Sequence, residues 1–244
     1  MKIGIDRLSK SFGRLPALRS ISLDVEPGQI VALLGANGAG KTTLLRCLAG
    51  ISAPDQGRIL YDQETFHRGR VDLRRRFAFL PDFPTVYGEM NAIRHMAMVL
   101  GIYGVPTVGI EDRVVRLLRD LDLLPLAEAP LGTLSRGQLY KVALATLAAV
   151  DPEVWLLDEP FASGMDPTGL TVFKDLAKDA AARGGTIFYS TQILDVAERF
   201  SDRVVILDGG RVAAWESIAG LRARSGAEDG VLEAIFRQLR EQRS

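Results

Sequence analysis

The sequence predicts an α/β fold, a doubly wound parallel sheet with an N-terminal antiparallel β-subdomain and a helical insertion. Short apolar runs bounded by Gly, Pro, Asp or Glu recur along the chain, and such runs are typical of strands covered on both faces. Helical patterns separate the runs, which favours the α/β class. The insertion is predicted by a long stretch, about 87–150, in which no strand pattern occurs.

The predicted elements follow in chain order. Residues 2–6 and 21–25 alternate apolar and polar side chains, as half-buried antiparallel strands do, and Pro27-Gly28 ends the second strand. The buried strands are predicted at 30–34, 77–80, 154–157, 186–190 and 204–207. The clearest helices between them are predicted at 42–49 and 169–183.

Helical spacing of Val114, Leu117, Leu118 and Leu121 supports the helical insertion. Residues 231–243 place apolar side chains on one face and predict an amphipathic helix, and the polar segment 222–230 is expected to be a flexible connection before it. We therefore divide the chain into a unit over 1–221, with a helical subdomain at about 83–150, and a C-terminal connection and helix over 222–244.

Composition restricts the function classes. The 244 residues are 47% hydrophobic, and 30 basic residues balance 30 acidic ones, so the even charge disfavours nucleic acid as a partner. Cys47 is the only cysteine, which excludes an internal disulfide, and no apolar run approaches the roughly 18 residues that span a bilayer. We expect a cytoplasmic protein without a direct membrane span.

A glycine-rich loop carries the strongest functional signal. It matches the pattern G-x-x-x-x-G-K-[ST] between a predicted strand and a predicted helix, where backbone N–H groups and the helix N-terminus bind phosphate. Lys41 would contact the β- and γ-phosphates, and the Thr42 hydroxyl would ligate Mg²⁺. The pattern predicts a P-loop nucleotide site formed by Gly35, Ala36, Asn37, Gly38, Ala39, Gly40, Lys41 and Thr42.

Two carboxylates follow the predicted strand 154–157. The carboxyl ends of parallel strands share one edge of a sheet, so Asp158 and Glu159 are expected beside the phosphate loop. Asp158 would hold Mg²⁺ through its water shell, and Glu159 would orient or deprotonate a water for attack on the γ-phosphate. Taken alone, acidic residues at a strand end are often only solvated.

The segment Leu134-Ser135-Arg136-Gly137-Gln138 resembles the signature motif of ATP-binding cassettes, the nucleotide-binding subunits of ABC transporters. In that family two cassettes pair head to tail, and this segment of one closes over the γ-phosphate held by the other. The resemblance implies nucleotide contacts for Ser135, Gly137 and Gln138. A plain helix cap, with Ser135 at the N-cap and Gln138 at N3, explains the segment equally well by itself.

The resemblance covers essentially the whole chain and assigns three more residues. Phe12 matches the aromatic that stacks on adenine, Thr43 a second hydroxyl that reaches phosphate, and Asp166 the loop that contacts the opposite cassette. It implies ATP and Mg²⁺ as cofactors and a second cassette, identical or different, as partner. It also implies membrane-spanning subunits, which would hold the chain at the inner face of the cell membrane.

The chain departs from the family pattern at two positions. Asp82 stands where cassettes commonly have Gln or Glu. Its side chain is shorter by one methylene, which puts its reach to Mg²⁺ or the attacking water in doubt. Gln192 replaces the histidine that contacts the γ-phosphate, and an amide carries no charge near neutral pH. Either Glu159 suffices for slower turnover, or the chain is the weaker half of a heterodimer.

Three functions follow from these patterns. The first is an ATP-hydrolysing subunit that powers membrane-spanning partners, with motion passed through the helical insertion and the Asp82 loop. Likeness to the ABC-2-type exporter branch at 216–222 and 232–236 favours export. The second is a soluble ABC ATPase acting on ribosomes or DNA, and the third a non-hydrolytic ATP-gated binding module.

Overall fold

The protein, represented by a computed structural model, is described over residues 1–226 and 229–241. The N-terminal sheet has the order β2-β1-β4-β5, built from β1 (Ile3–Phe12), β2 (Leu15–Val25), β4 (Gln56–Tyr61) and β5 (Glu64–Thr65). Its neighbours are antiparallel. The predicted N-terminal β-subdomain is therefore confirmed, with longer strands. Register shifts after Ile5 and Leu8 interrupt the alternation that the sequence pattern depends on.

A second sheet has the order β10-β9-β3-β8-β7-β6. Five of its strands are parallel and match the predicted apolar runs, whereas the edge strand β10 pairs antiparallel with β9, a pairing that the sequence pattern did not predict. The strands are β3 (Ile30–Leu34), β6 (Phe77–Leu80), β7 (Val154–Leu157), β8 (Thr186–Thr191), β9 (Arg203–Asp208) and β10 (Arg211–Ser217).

Helices cover both faces of this sheet. Ala32 of β3 belongs to one hydrophobic core, whereas Val31 and Leu33 belong to the other, as alternation along a strand requires. Helix α1 (Lys41–Leu48) packs into the Val31 core, and α6 (Pro167–Ala182) packs into the Ala32 core. The short helices α2 (Val71–Arg74) and α7 (Leu194–Phe200) complete this part of the fold, and the predicted doubly wound arrangement is confirmed.

The insertion is helical, as predicted. It contains α3 (Ala92–Tyr103), α4 (Ile110–Asp120) and α5 (Arg136–Val150), with 3₁₀ turns at Leu124–Leu126 and Leu131–Thr133. The Asn91 side chain caps α3 by accepting from the Arg94 N–H at 2.9 Å. The predicted apolar face of α4 is buried at Leu117 and Leu118.

The C-terminal part contains α8 (Ile218–Ser225) and α9 (Val231–Glu241). The expectation of a flexible connection over 222–230 is wrong for 222–225, which form the end of α8. The Ser217 hydroxyl caps this helix, and burial of Ile218 and Leu221 anchors it. Residues 227–228, and residues 242–243 of the predicted amphipathic helix, lie outside the described residues.

Candidate functional site

A cavity of about 600 Å³ lies at the carboxyl edge of the parallel sheet. The phosphate loop follows β3, Asp158 follows β7, Gln192 follows β8, and Asp82 comes two residues after β6. Chain segments distant in sequence thus meet in one place. The lining residues are Ala17, Ala36, Asn37, Gly38, Ala39, Gly40, Lys41, Thr42, Thr43, Asp82, Arg136, Asp158, Glu159, Ala162 and Gln192.

The loop has the geometry that its sequence pattern requires. Gly40 has φ 107°, and a Cβ at this position would lie 2.6 Å from the Ala17 carbonyl oxygen, so only glycine fits. Lys41 is buried, with 6% of its side chain exposed. Its Nζ donates to the Gly35 carbonyl oxygen at 2.9 Å and lies 3.3 Å from Glu159 Oε1. The predicted cation is therefore held inside the cavity beside one carboxylate.

A hydroxyl and carboxylate cluster lies beside the lysine. The Thr42 Oγ1 donates to Asp158 Oδ1 at 3.1 Å, and the Ser190 hydroxyl donates to the same oxygen at 2.7 Å. A hydroxyl and a carboxylate oxygen are ligands that suit Mg²⁺, which keeps several waters and binds substrate phosphates as well. Among residues 1–226 and 229–241, no three or more His, Cys, Asp or Glu side chains form a group that could hold a metal ion.

Glu159 has an uncommon backbone conformation. Its φ is 48°, in the left-handed region that a non-glycine residue rarely adopts, and its N–H donates to the Ser190 hydroxyl at 2.9 Å. Strained backbone at a cavity often marks a functional residue. Gln192 lines this cavity and an adjacent one of about 510 Å³ that α9 also borders. Neither His67, which is exposed, nor His95, which is buried, lines either cavity.

Six predicted nucleotide contacts do not line the main cavity: Gly35, which lines the adjacent cavity, and Phe12, Ser135, Gly137, Gln138 and Asp166. Phe12 is 54% exposed at the end of β1. Ser135 and Gln138 form the capping box that local sequence also predicted: the Ser135 hydroxyl accepts from the Gln138 N–H at 3.3 Å, and Gln138 Oε1 accepts from the Ser135 N–H at 2.9 Å.

The start of α5 packs tightly against the segment before α6. A Cβ on Gly137 would overlap the Gly164 carbonyl oxygen. Lys141, which is buried, pairs with Asp166 at 2.6 Å, and Asp166 also caps α6 by accepting from the Gly169 N–H at 2.7 Å. The hydrogen bond with Lys141 lowers the pKa of Asp166. These contacts hold the two predicted dimer segments together as one surface.

We expect Gly137→Ala to lower the free energy of unfolding by about 1–2 kcal/mol. The added methyl group overlaps the Gly164 carbonyl oxygen, and the cost of this overlap exceeds the gain in helix propensity from glycine to alanine. Urea denaturation measures the change. Gly101→Ala is the matched control, since Gly101 lies in α3 with open space around its Cβ position, and it should raise the free energy of unfolding by up to about 1 kcal/mol. Equal changes in both variants would contradict the proposed close contact.

Sequence reasoning missed Arg136 as a lining residue of the cavity. The residue lies inside the quoted motif, but its side chain extends to the loop after β6, where it pairs with Asp82. Asp82, which differs from the family pattern, thus contacts a residue of the 134–138 segment. No local pattern connects residues 54 positions apart, so the sequence carried no signal for this contact.

A sequence model of one protein family, described as ABC transporter, matches residues 18–162. The chain belongs to the ABC transporter family. The matched residues include the phosphate loop, the 134–138 segment and the Asp158-Glu159 pair, and each of these contributes residues to the main cavity. Membership in the ABC transporter family implies ATP binding, ATPase activity and, typically, Mg²⁺.

Similar proteins cover nearly the whole cassette. The ABC-type transporter ATP-binding protein EcsA of Bacillus subtilis (strain 168) is 30% identical over 237 residues, which are 97% of this chain and 96% of EcsA. The SkfA peptide export ATP-binding protein SkfE of the same strain is 32% identical over 208 residues, 85% of this chain and 86% of SkfE. Other relatives bear the names of sulfate/thiosulfate import and Nod factor export ATP-binding proteins.

A solved structure described as "Structure of ATP binding subunit of ABC transporter" has a TM-score of 0.91 to this chain at 30% identity, covering 98% of this chain and 99% of that one. The predicted P-loop α/β fold is thereby confirmed. The chain is an ABC transporter ATP-binding subunit whose relatives include both import and export proteins. In the described parts of the chain, no helix combines the length and apolarity needed to cross a membrane.

Proposed function

We propose that this cassette binds and hydrolyses ATP to power transport by membrane-spanning partner subunits, with export as the direction. The observation that supports it most is the convergence of Lys41, Thr42, Asp158, Glu159 and Gln192 on one cavity. Phosphate ligands, cation ligands and a candidate base are then all within one site, as phosphoryl transfer to water requires.

Binding of ATP is assigned to the loop. The backbone N–H groups of 35–42 and Lys41 would hold the phosphates, Thr43 would contact a phosphate oxygen, and Phe12, exposed at the end of β1, would stack on adenine. The Thr42 hydroxyl and Asp158 would hold Mg²⁺, together with Asp82, which lines the same cavity. When bound, Mg²⁺ neutralises charge on the β- and γ-phosphate oxygens.

Hydrolysis is assigned to Glu159 as the group that accepts a proton from the attacking water. Its N–H is fixed by the Ser190 hydroxyl, and its carboxylate pairs with Lys41. A bound γ-phosphate would attract Lys41 away from Glu159 and leave that carboxylate available to water. Gln192 would donate its amide N–H to the γ-phosphate.

A second cassette would complete the site. Ser135 is exposed and its hydroxyl, although it accepts from the helix, still has its own hydrogen to donate to a phosphate oxygen. Gly137, Gln138 and Asp166 belong to the same packed surface and would face the partner. Two versions remain within the proposal: a homodimer that hydrolyses ATP more slowly because of Gln192, or a heterodimer in which this chain has the weaker site. Retention of Glu159 favours the first.

The membrane partner would dock beside Asp82. The loop after Asp82 and the first turn of α3 expose three large apolar side chains, those of Phe83, Tyr87 and Ile93. Covering such side chains is favourable by about 25 cal/mol per Å². Docking there would place the cassette on the inner face of the membrane through its partners. Export is favoured by the C-terminal likeness at 216–222 and 232–236 and by the export name of SkfE, although import proteins are also among the relatives.

The partner proposal is tested by co-expressing the chain with the membrane protein encoded beside it and purifying through a tag on that protein. We expect the cassette to co-purify, and the double variant Tyr87→Ser with Ile93→Ser to lose at least about 90% of the association, since removing two apolar contacts costs on the order of 2–3 kcal/mol.

The matched control is Ile102→Ser with Val108→Ser, which replaces two exposed apolar residues, one at the C-terminal end of α3 and one between α3 and α4. Ile93 and Ile102 are about 14 Å apart along α3. The control should co-purify as the parent chain does. Equal loss in both doubles would contradict the docking site, and a chain that binds ribosomes in place of the membrane protein would favour a soluble, non-transport ABC ATPase.

A further inference from the structure

Arg136 and Asp82 form an ion pair among the residues that line the main cavity. Arg136 is the first residue of α5, and Asp82 belongs to the loop after β6, so the pair connects the helical insertion to the parallel sheet. The Arg136 guanidinium also lies 4.0 Å from the centre of the Phe83 ring, which fixes its position from a second side. The two side chains are 41% and 31% exposed.

Tyr140 lies one helical turn beyond Arg136 on the same side of α5. Its side chain is fully buried, and within the described part of the chain its hydroxyl has no hydrogen-bond partner. Burial raises the pKa of Tyr140, and the negative charges of Asp82 and Asp158 raise it further, while Arg136 opposes them. A buried hydroxyl without a partner is costly, so an arrangement that supplies an acceptor for it would be favoured.

We propose that the Arg136–Asp82 pair is a latch that Mg²⁺-ATP opens, and that the Tyr140 hydroxyl then donates to the released Asp82 carboxylate. The inference rests on the proposed function, because it requires Mg²⁺-ATP in this cavity. The Asp82 carboxylate cannot pair with Arg136 and bind a divalent cation with full strength at the same time, so Arg136 and Mg²⁺ compete for it. Arg136 and Tyr140 are positioning residues here, acting through Asp82.

The latch is weak enough to open. A partly exposed ion pair contributes about 1 kcal/mol or less, whereas a divalent cation beside a carboxylate carries twice the charge of a guanidinium. Opening frees the Arg136 guanidinium, which lies within the 134–138 segment that would meet a second cassette, while Gly137 and Lys141 keep the start of α5 packed against the segment before α6. Binding of Mg²⁺-ATP would thereby change the charge that this segment presents to a second cassette.

The test measures the Kd of the full chain for a non-hydrolysable ATP analogue with an imido β–γ bridge, with MgCl₂ and separately with EDTA. Arg136→Gln removes the cation that competes for Asp82. The Kd of this variant for the analogue should therefore be about fivefold lower than that of the parent chain with Mg²⁺, and no lower in EDTA. In an Asp82→Asn background the same substitution should give no gain. Arg113→Gln is the matched control, because the Arg113–Asp151 pair has 39% and 32% exposed side chains and lies outside the cavity.

Tyr140→Phe gives a second, opposite result. Without the hydroxyl, the released carboxylate loses its donor, so the Kd with Mg²⁺ should rise about threefold while the Kd in EDTA stays unchanged. The urea midpoint should not fall, because the variant removes a buried polar group that has no partner among the described residues. A purely structural role for Tyr140 would lower the midpoint and change both Kd values together.

Other outcomes overturn the latch. A gain for Arg136→Gln that persists in the Asp82→Asn background would show that Arg136 acts independently of Asp82, and a weaker affinity with Mg²⁺ would make Arg136 a direct phosphate ligand. A parent chain that binds the analogue while Arg136→Gln and Tyr140→Phe both match it would refute the latch and leave the proposed function standing. A parent chain that does not bind the analogue at all would refute the proposed function and the latch with it.

Discussion

Glu159→Gln is expected to lower the kcat for ATP hydrolysis by at least about 100-fold, the usual contribution of a general base, while ATP still binds. Glutamine has nearly the same shape but cannot accept a proton from water. The backbone of Glu159 is held by the Ser190 hydroxyl, which the substitution does not touch. Affinity for ATP should rise slightly, because the phosphates no longer compete with the Glu159 carboxylate for Lys41.

A steady-state phosphate-release assay on the purified chain measures the effect, with nucleotide affinity determined alongside. The matched control is Glu153→Gln. Glu153 immediately precedes β7, whereas Glu159 follows shortly after β7, so the two carboxylates lie at opposite edges of the sheet. Glu153 pairs with Arg76 and the N-terminus, so its loss should affect stability and not turnover. Equal background rates for the parent and Glu159→Gln would contradict hydrolysis by the isolated chain and would favour the heterodimer or the non-hydrolytic module.

The parts of the fold that the sequence predicted are those with a repeating local signal. Strand β3 is buried on both faces, and its run of five apolar residues shows this directly. The N-terminal strands were predicted too short because register shifts after Ile5 and Leu8 break the two-residue period. Helix α8 was missed because two buried residues and a Ser217 cap stabilise a helix whose other residues are mostly polar or small.

The same distinction applies to the site. A contiguous loop motif and a strand-terminal carboxylate pair placed Lys41, Thr42, Asp158 and Glu159 correctly in one cavity. The Arg136–Asp82 contact escaped prediction because it depends on side-chain reach between two elements that only the tertiary fold brings together. Asp166 was predicted to contact the opposite cassette and its nucleotide. Its local roles, capping α6 and pairing with Lys141, carry no signal in the family pattern.

Lys41→Met is expected to raise the Kd for ATP about 100-fold. A factor of 100 corresponds to about 2.7 kcal/mol, of which the lost charge-assisted hydrogen bond to phosphate accounts for roughly 1.5 kcal/mol. Methionine keeps the length and the apolar packing of this buried side chain, so a loss of affinity would report the charge and not the fold. The loss has a second source, because Glu159 then faces the γ-phosphate without its cation.

That second source makes the prediction specific. In a Glu159→Gln background the repulsion between carboxylate and phosphate disappears, so Lys41→Met should there raise the Kd less, by about tenfold. Lys141→Met is the matched control: Lys141 is also buried and paired with a carboxylate, but it does not line the cavity, so it should lower the unfolding midpoint and leave the Kd unchanged. Equal Kd increases in both backgrounds would show that Lys41 contacts phosphate independently of Glu159, which would contradict the proposed exchange of Lys41 between carboxylate and γ-phosphate.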